Sequence, residues 1–114
     1  MKVAIVGSRT LWIDDFSEYL PEETTEIISG GAKGIDSSAR SYALKSHIPF
    51  MEYRPDYQKY GRCAPLIRND LIVERADLIL AFWDGSSSGT AYVIKKCRET
   101  NTTCRVYIKD DLPI

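Results

Sequence analysis

The stretch Ser29-Gly30-Gly31-Ala32-Lys33-Gly34-Ile35-Asp36 joins two segments of different hydrophobic pattern. An apolar run ends just before it, and a segment with helical spacing follows it as far as about Ser46. Glycines at such a junction allow a sharp turn and let a ligand approach the backbone closely. The helix then directs its unpaired amide groups, and the positive end of its dipole, above the strand. We therefore predict an anion site here, with a phosphate as its natural occupant; a plain strand-to-helix turn is the alternative.

The glycine spacing differs from the two common phosphate-binding motifs. Gly30, Gly31 and Gly34 do not form G-x-G-x-x-G, and no Gly-Lys-Ser or Gly-Lys-Thr follows them as in a P-loop. The stretch thus predicts a phosphate-binding turn without assigning it to either class of nucleotide-binding protein.

Segments with strand and helix patterns alternate along the chain. Short apolar runs predict strands at Lys2–Val6, Thr25–Ser29, Pro49–Tyr53, Asp77–Trp83 and Cys104–Ile108. Helical spacing predicts helices at Asp14–Leu20, Ile35–Ser46, Ala64–Ala76 and Ala91–Thr100. This alternation predicts one α/β domain over residues 1–114, a Rossmann-like three-layer sandwich with a five-stranded parallel sheet in the order 3-2-1-4-5.

Three polar turns are expected to meet at one edge of this sheet. Gly7–Arg9, Ser29–Asp36 and Asp84–Thr90 each follow a predicted strand, and parallel strands end at the same edge. Ligands bind such sheets beyond the strand ends, beside the point where the strand order reverses, here between strands one and four. Arg54–Arg62 is polar and aromatic without periodicity, so we predict a loop that lies over this site.

Composition and charge exclude several classes of protein. A net charge of −1 provides no basic surface, so we do not expect nucleic acid as a partner. Cys63, Cys97 and Cys104 are widely spaced and His47 is the only histidine, a set that does not predict a metal site. We predict a cytoplasmic protein without membrane contact, because the cysteines are expected to be reduced thiols, a strand stands in place of a signal peptide, and no long apolar run is present. We expect no cofactor.

Four motifs in this order resemble the SLOG superfamily, which joins the DNA-processing protein A fold with the Lonely Guy phosphoribohydrolases. They are Gly7-Ser8-Arg9, the glycine stretch of residues 29–36, Arg68-Asn69 and Gly85–Thr90. The chain looks closest to the small stand-alone members. The resemblance implies a Rossmann-like pocket for a nucleotide or nucleotide-derived ligand. Lonely Guy enzymes hydrolyse the N-glycosidic bond of cytokinin nucleoside monophosphates, other SLOG domains sense NAD-derived or ADP-ribose-like molecules, and DNA-processing protein A binds single-stranded DNA.

One departure from the Lonely Guy pattern P-G-G-x-G-T-x-x-E concerns catalysis. Aligning Gly89-Thr90 with its G-T places Val93 at the catalytic glutamate, and Trp83-Asp84 stands where Pro-Gly is expected. Valine neither gives nor takes a proton. We therefore predict a nucleotide-binding protein that acts as a sensor or carrier. The alternatives are a nucleoside-phosphate N-glycosidase, in which Asp36 or Asp84 supplies the carboxylate, and single-stranded DNA binding.

The candidate ligand-binding residues offer amides, hydroxyls or charges at these turns, and no catalytic residue is assigned. Phosphates are expected on Gly30–Gly34 and Ser86–Thr90, with Arg9 and Arg68 as cationic clamps. Tyrosines in the polar loop also permit a homo-oligomer. The full candidate set is Gly7, Ser8, Arg9, Ser29, Gly30, Gly31, Lys33, Gly34, Asp36, Arg68, Asn69, Asp84, Ser86, Ser88, Gly89 and Thr90.

Overall fold

The computed structural model describes residues 1–112, in which one sheet contains five strands: β1 (Lys2–Gly7), β2 (Glu26–Ser29), β3 (Phe50–Glu52), β4 (Leu78–Trp83) and β5 (Cys104–Ile108). Neighbouring strands pair in parallel, in the order β3-β2-β1-β4-β5. The predicted fold class and strand order are therefore confirmed. The strand order reverses between β1 and β4, at the centre of the sheet.

Helices cover both faces of the sheet. They are α1 (Ile35–Lys45), α2 (Tyr57–Tyr60), α3 (Ala64–Arg75) and α4 (Ser88–Thr100). Val3 and Ile5 of β1 pack into the core beneath α1, whereas Ala4 and Val6 pack into the core beneath α3 and α4, because successive side chains of a strand point to opposite faces. Within residues 1–112, no helix combines the length and the apolar character needed to cross a membrane.

The helix predicted for Asp14–Leu20 is wrong, because this segment consists of bends and turns. The carbonyl of Phe16 accepts hydrogen bonds from the amides of Tyr19 (2.9 Å) and Leu20 (3.1 Å), which closes a single turn. The Asp15 carboxylate accepts from the Ser17 amide (2.8 Å), a local bond that competes with helix formation. The apolar spacing that suggested a helix reflects aromatic packing instead, since the rings of Phe16 and Tyr19 pack edge-to-face.

Their common partner is Phe82 of β4. Its ring centroid lies 5.4 Å from that of Phe16 and 5.1 Å from that of Tyr19. Edge-to-face contacts at such distances are the favoured geometry of aromatic pairs. These rings therefore pack on the α1 side of the sheet from an irregular segment, where the sequence predicted a helix.

The loop predicted for Arg54–Arg62 is wrong in part, because it contains α2 and the start of a 3₁₀ turn at Gly61–Cys63. The Asp56 carboxylate caps α2 by accepting from the Lys59 amide (3.1 Å). No residue of α2 or of the 3₁₀ turn is buried. α4 also begins at Ser88, before the predicted Ala91. The other predicted strand and helix boundaries agree with the observed ones to within one residue.

Candidate functional site

A cavity of about 840 Å³ lies at the carboxyl ends of β1 and β4, on the side of the sheet that α3 and α4 cover. This is the place where ligands bind in open parallel sheets, beside the reversal of strand order. The cavity wall contains Val6, Gly7, Arg9, Thr10, Ala32, Asp36, Arg62, Pro65, Leu66, Arg68, Asn69, Ile72, Asp84, Ser87, Ser88, Gly89, Thr90, Tyr92 and Val93.

The N-terminus of α4 forms one side of this cavity. Ser87 precedes the helix as its N-cap, and its hydroxyl accepts from the Thr90 amide (3.4 Å). No residue within the described chain accepts a hydrogen bond from the amides of Ser88 and Gly89. The first amides of a helix have no partner inside the helix and lie at its positive end. These two N–H groups are therefore available to an anion in the cavity.

Asp84 holds the turn that precedes α4. Its carboxylate accepts hydrogen bonds from the Thr10 hydroxyl (2.7 Å), the Ser86 amide (2.9 Å) and the Ser87 amide (2.9 Å). The bond from Thr10 contributes most to holding the pKa of Asp84 well below its usual range. The Asp84 amide in turn donates to the hydroxyl of Ser8 (3.0 Å). Asp84 thus ties the turn after β4 to the turn after β1.

Asp36 and Arg68 are two oppositely charged residues of the cavity wall. Asp36 is 6% exposed, and its carboxylate accepts from the Ala32 amide (3.1 Å). Burial raises the pKa of Asp36, against the opposing effects of the Ala32 amide and the Arg68 charge. Burial likewise lowers the pKa of Arg68, although the charge of Asp36 opposes that shift. Each charge is therefore the electrostatic partner of the other.

Arg68 also supports the glycine loop. Its Nη1 donates to the carbonyls of Gly30 and, at 3.5 Å, of Tyr53, while its Nε donates to Oδ1 of Asn69 (2.8 Å). A Cβ at Gly30 would lie 2.6 Å from Nη1 of Arg68, so a residue without a side chain is needed for this approach. Arg68 lines the cavity, yet much of its hydrogen-bonding capacity is directed at the protein itself.

The glycine loop packs against the turn after β1 and contributes little to the cavity surface. Gly34 has φ 76°, and a Cβ there would lie 2.5 Å from the carbonyl oxygen of Ser8. The Ile35 amide, the first of α1, donates to that same oxygen (3.3 Å). Of residues 29–36, Ala32 and Asp36 line the cavity. The first amide of α1 is thus paired with a protein group, whereas the first two amides of α4 have no acceptor within the described residues.

The charge of the cavity wall favours an anion. Arg9, Arg62 and Arg68 face Asp36 and Asp84, three cationic groups against two anionic ones. Burial lowers the pKa of Arg68, and the positive charge of Arg9 adds a smaller effect in the same direction. Within residues 1–112, no three His, Cys, Asp or Glu side chains are grouped so that they could hold a metal ion.

The structure brings part of the candidate set together. The cavity wall contains Gly7, Arg9, Asp36, Arg68, Asn69, Asp84, Ser88, Gly89 and Thr90. The candidates outside the wall are Ser8, Ser29, Gly30, Gly31, Lys33, Gly34 and Ser86. Ser29 is buried and donates to the Ile5 carbonyl (2.7 Å), and Lys33 is exposed. These residues shape or flank the site without forming its surface.

Sequence reasoning missed several wall residues. Ser87 was left out of the candidate set although a serine three residues before Thr90 is a recognisable N-cap signal. Thr10 follows the Gly7-Ser8-Arg9 motif directly, but its bond to Asp84 joins distant parts of the chain. Tyr92, Pro65 and Leu66 carry no local signal that separates them from ordinary helix residues.

Comparison with known protein families supports the resemblance drawn from the motifs. The family model described as DNA recombination-mediator protein A matches residues 1–52. The matched stretch runs from β1 through the glycine loop and α1 to β3, whereas Arg68-Asn69 and the turn after β4 lie beyond it. The match supports membership of the chain in the SLOG superfamily. No curated protein and no solved structure matches the chain.

Proposed function

We propose that this chain, whose first 52 residues match the DNA recombination-mediator protein A family, binds a nucleotide or nucleotide-derived ligand in the cavity between β1, α3 and α4. The observation that carries the proposal is the N-terminus of α4, where Ser88 and Gly89 belong to the cavity wall and no described group accepts a hydrogen bond from their amides. Helix N-termini of this kind bind phosphate groups. Arg9 and Arg62 supply positive charge in the same cavity.

The remaining wall suits the rest of a nucleotide. A cavity of about 840 Å³ lies in the range that small-molecule ligands occupy. Apolar side chains of Pro65 and Leu66 provide a surface for a base, apart from the polar end at α4. The ligand is thus expected to place its phosphate at α4 and its base against α3.

The wall favours binding over hydrolysis of an N-glycosidic bond. Val93, at the position of the Lonely Guy glutamate, lines the cavity and has no titratable group. Asp36 and Asp84 are the carboxylates of this wall within the described chain, and both accept hydrogen bonds from backbone amides. A role as sensor or carrier does not require a catalytic group.

Thermal unfolding with a ligand panel tests the proposal. The panel contains AMP, ADP-ribose, NAD, cyclic ADP-ribose, adenine and short single-stranded DNA. A ligand at 100 times its dissociation constant raises the free energy of unfolding by about 2.7 kcal/mol, which corresponds to a midpoint increase of roughly 10 °C for a domain of this size. We expect a shift with at least one phosphate-bearing nucleotide and none with adenine.

The same panel distinguishes the alternatives. No shift with any nucleotide would overturn the proposal, and a shift with DNA alone would favour nucleic-acid binding. Free base released from a nucleoside monophosphate during incubation would favour the N-glycosidase alternative. Because adenine lacks phosphate, an equal shift with adenine would place the binding energy on the base and contradict a phosphate site.

The variant Ser88→Pro tests the phosphate position directly. Proline removes the Ser88 amide and is favoured at the first position of a helix. Ser87 has φ −60° and ψ 120°, an extended conformation that suits a residue before proline. A hydrogen bond to a charged group contributes roughly 1.5–3 kcal/mol, so we expect affinity to fall about tenfold to a hundredfold.

Ser88→Ala is the matched control, because it shortens the same side chain and keeps the amide. Its nucleotide affinity should stay close to that of the wild type in isothermal titration. Equal affinities for Ser88→Pro and Ser88→Ala, in chains with unchanged unfolding midpoints, would remove the Ser88 amide from the site.

A further inference from the structure

Tyr92 contributes an aromatic ring to the cavity wall. Of the described residues that line the cavity, it is the one with an aromatic side chain. It is half-buried and lies on α4, about one helical turn after Ser88. An aromatic ring in a ligand cavity offers a flat apolar surface, which suits a flat group of a ligand. Tyr92 therefore differs in kind from the amides, hydroxyls and charges that surround the start of α4.

A hydrogen bond between α3 and α4 holds the Tyr92 side chain. Its hydroxyl donates to the carboxylate of Asp70 on α3 (2.8 Å). An oxygen of the same carboxylate lies 3.8 Å from Nζ of Lys96, so Asp70 is itself held by a charge on α4. The polar end of Tyr92 is thus satisfied by the protein and needs no partner from a ligand. A side chain held in this way loses little conformational freedom when a ligand binds.

The anchor on α3 brings the ring close to an apolar residue of the same wall. Leu66 and Asp70 are four residues apart on α3, so they are neighbours on one side of that helix. Leu66 lines the cavity and is 41% exposed. The Tyr92 ring, bonded to Asp70, and the Leu66 side chain therefore border one end of the cavity with apolar surface.

The spacing along α4 separates this ring from the phosphate position. Ser88 and Tyr92 are four residues apart, so they lie on one side of α4 and roughly 6 Å apart along its axis. In a nucleoside monophosphate, one ribose joins the phosphate to the base and bridges a distance of this order. A phosphate at the Ser88 amide would therefore leave the base within reach of the Tyr92 ring.

We propose that the Tyr92 ring is the base-binding surface of the cavity, so that the ligand is a nucleoside phosphate held by stacking of its base as well as by its phosphate. This inference rests on the proposed function, because it places the phosphate at α4. Stacking on an aromatic side chain accepts any of the bases, since each base has a π face. Asp70 acts on the ligand only through Tyr92 and is a positioning residue.

Isothermal titration with AMP and with ribose 5-phosphate tests the inference, because the two compounds share the phosphate and the ribose and differ in the base. The wild type should bind AMP more tightly than ribose 5-phosphate. Tyr92→Leu keeps an apolar side chain and removes the ring. We expect its affinity for AMP to fall about fivefold to a hundredfold, and its affinity for ribose 5-phosphate to stay that of the wild type. Tyr92→Phe retains the ring and loses the anchor, so it should lose less AMP affinity than Tyr92→Leu.

Tyr60→Leu is the matched control, because it makes the same change at an exposed tyrosine outside the cavity wall. Its affinity for both compounds should equal that of the wild type. Unchanged AMP affinity in Tyr92→Leu, or an equal loss of affinity for both compounds, would overturn the role of Tyr92 and leave the phosphate site in place. A wild-type chain that binds neither compound would overturn the proposed function and this inference together.

A measurement on the wild type makes the result independent of the folding of Tyr92→Leu. In protein with isotope-labelled tyrosine, the ring signals of Tyr92 are identified by their absence from the nuclear magnetic resonance spectrum of Tyr92→Phe. A base stacked on the ring should shift these signals on addition of AMP, and ribose 5-phosphate should leave them in place. Equal shifts with both compounds, or no shift with saturating AMP, would overturn the contact between the ring and the base.

Discussion

Gly34 shows how a single residue allows two turns to approach each other. Its positive φ and the carbonyls of Ser8 and Arg9 leave no room for a side chain. Gly85 also has a positive φ, but a Cβ there would meet open space. Both glycines adopt a positive φ, but of the two it is Gly34 at which a Cβ would also overlap neighbouring backbone atoms.

We therefore expect Gly34→Ala to be more destabilising than Gly85→Ala. Backbone strain costs about 1–3 kcal/mol at either position, and overlap with the Ser8 and Arg9 backbone should add roughly 1–3 kcal/mol at Gly34. Urea unfolding of both variants measures the difference. Equal losses in the free energy of unfolding would show that the close approach relaxes without cost.

Asp36 should make the stability depend on pH in a characteristic direction. Burial raises its pKa, so the folded state binds the proton more tightly than the unfolded state does. The stability contribution is therefore complete below the unfolded pKa and is lost as the pH rises through the folded pKa. Asp36→Asn keeps an acceptor for the Ala32 amide and does not titrate.

The expected result is a free energy of unfolding that falls, relative to Asp36→Asn, as the pH rises from the ordinary aspartate pKa of about 3.9 through the raised pKa of folded Asp36. Urea unfolding of both proteins across this range measures it, and groups that titrate equally in both cancel from the difference. A difference that rises with pH would mean that the Ala32 amide and Arg68 outweigh burial at this carboxylate.

At the scale of elements, the turn between β4 and α4 is built around Asp84. Hydrogen bonds from Thr10, Ser86 and Ser87 depress its pKa. The resulting stabilisation is present above the unfolded pKa and is lost as the pH falls through the folded pKa, which is the opposite direction to Asp36. Asp84 thus stabilises the turn between β4 and α4 through hydrogen bonds to its charged carboxylate.

Asp84→Ala should lower the unfolding midpoint at neutral pH, with a loss that diminishes on acidification. Thr10→Val removes one of the four hydrogen bonds that the Asp84 carboxylate accepts, and should give a smaller loss with the same pH dependence. Thermal unfolding monitored by circular dichroism at neutral and acidic pH compares the three proteins. A loss independent of pH would show that Asp84 acts without its charge.

At the scale of the molecule, we predict that residues 1–114 unfold as one cooperative domain. Trp12 lies between Leu11 and Ile13, which pack into or against the core beneath α1, whereas Trp83 donates its indole N–H to the Ser87 carbonyl (3.0 Å) beside α4. Single-tryptophan variants, Trp12→Phe and Trp83→Phe, therefore report on different regions. Within each variant, fluorescence and far-ultraviolet circular dichroism should give coincident urea transitions.

Separate midpoints within one variant would divide the chain into units that unfold independently.

Self-association also remains a prediction at this scale. Tyr57 is 61% exposed and Tyr60 is 38% exposed, which leaves aromatic surface for a second copy. Trp83, by contrast, is half-buried and engaged by its hydrogen bond to Ser87.

The amino-acid sequence by itself determined the architecture. Continuous apolar runs such as Val3–Val6 identify strands buried on both faces, and their alternation with helices, joined by right-handed crossovers, leaves few strand orders. Local pattern was insufficient at Phe16, where aromatic contacts with Phe82 replace a helix. It was also insufficient at α2, a single turn too short to show periodicity.

Only the tertiary structure decided how the first amide of each helix is satisfied. The glycine stretch and the turn after β4 carry similar local signals, since both precede a helix. The Ser8 carbonyl accepts from the first amide of α1, whereas no described group accepts from the amides of Ser88 and Gly89, two residues of the cavity wall. These contacts join different elements, so no local pattern in the sequence contains them.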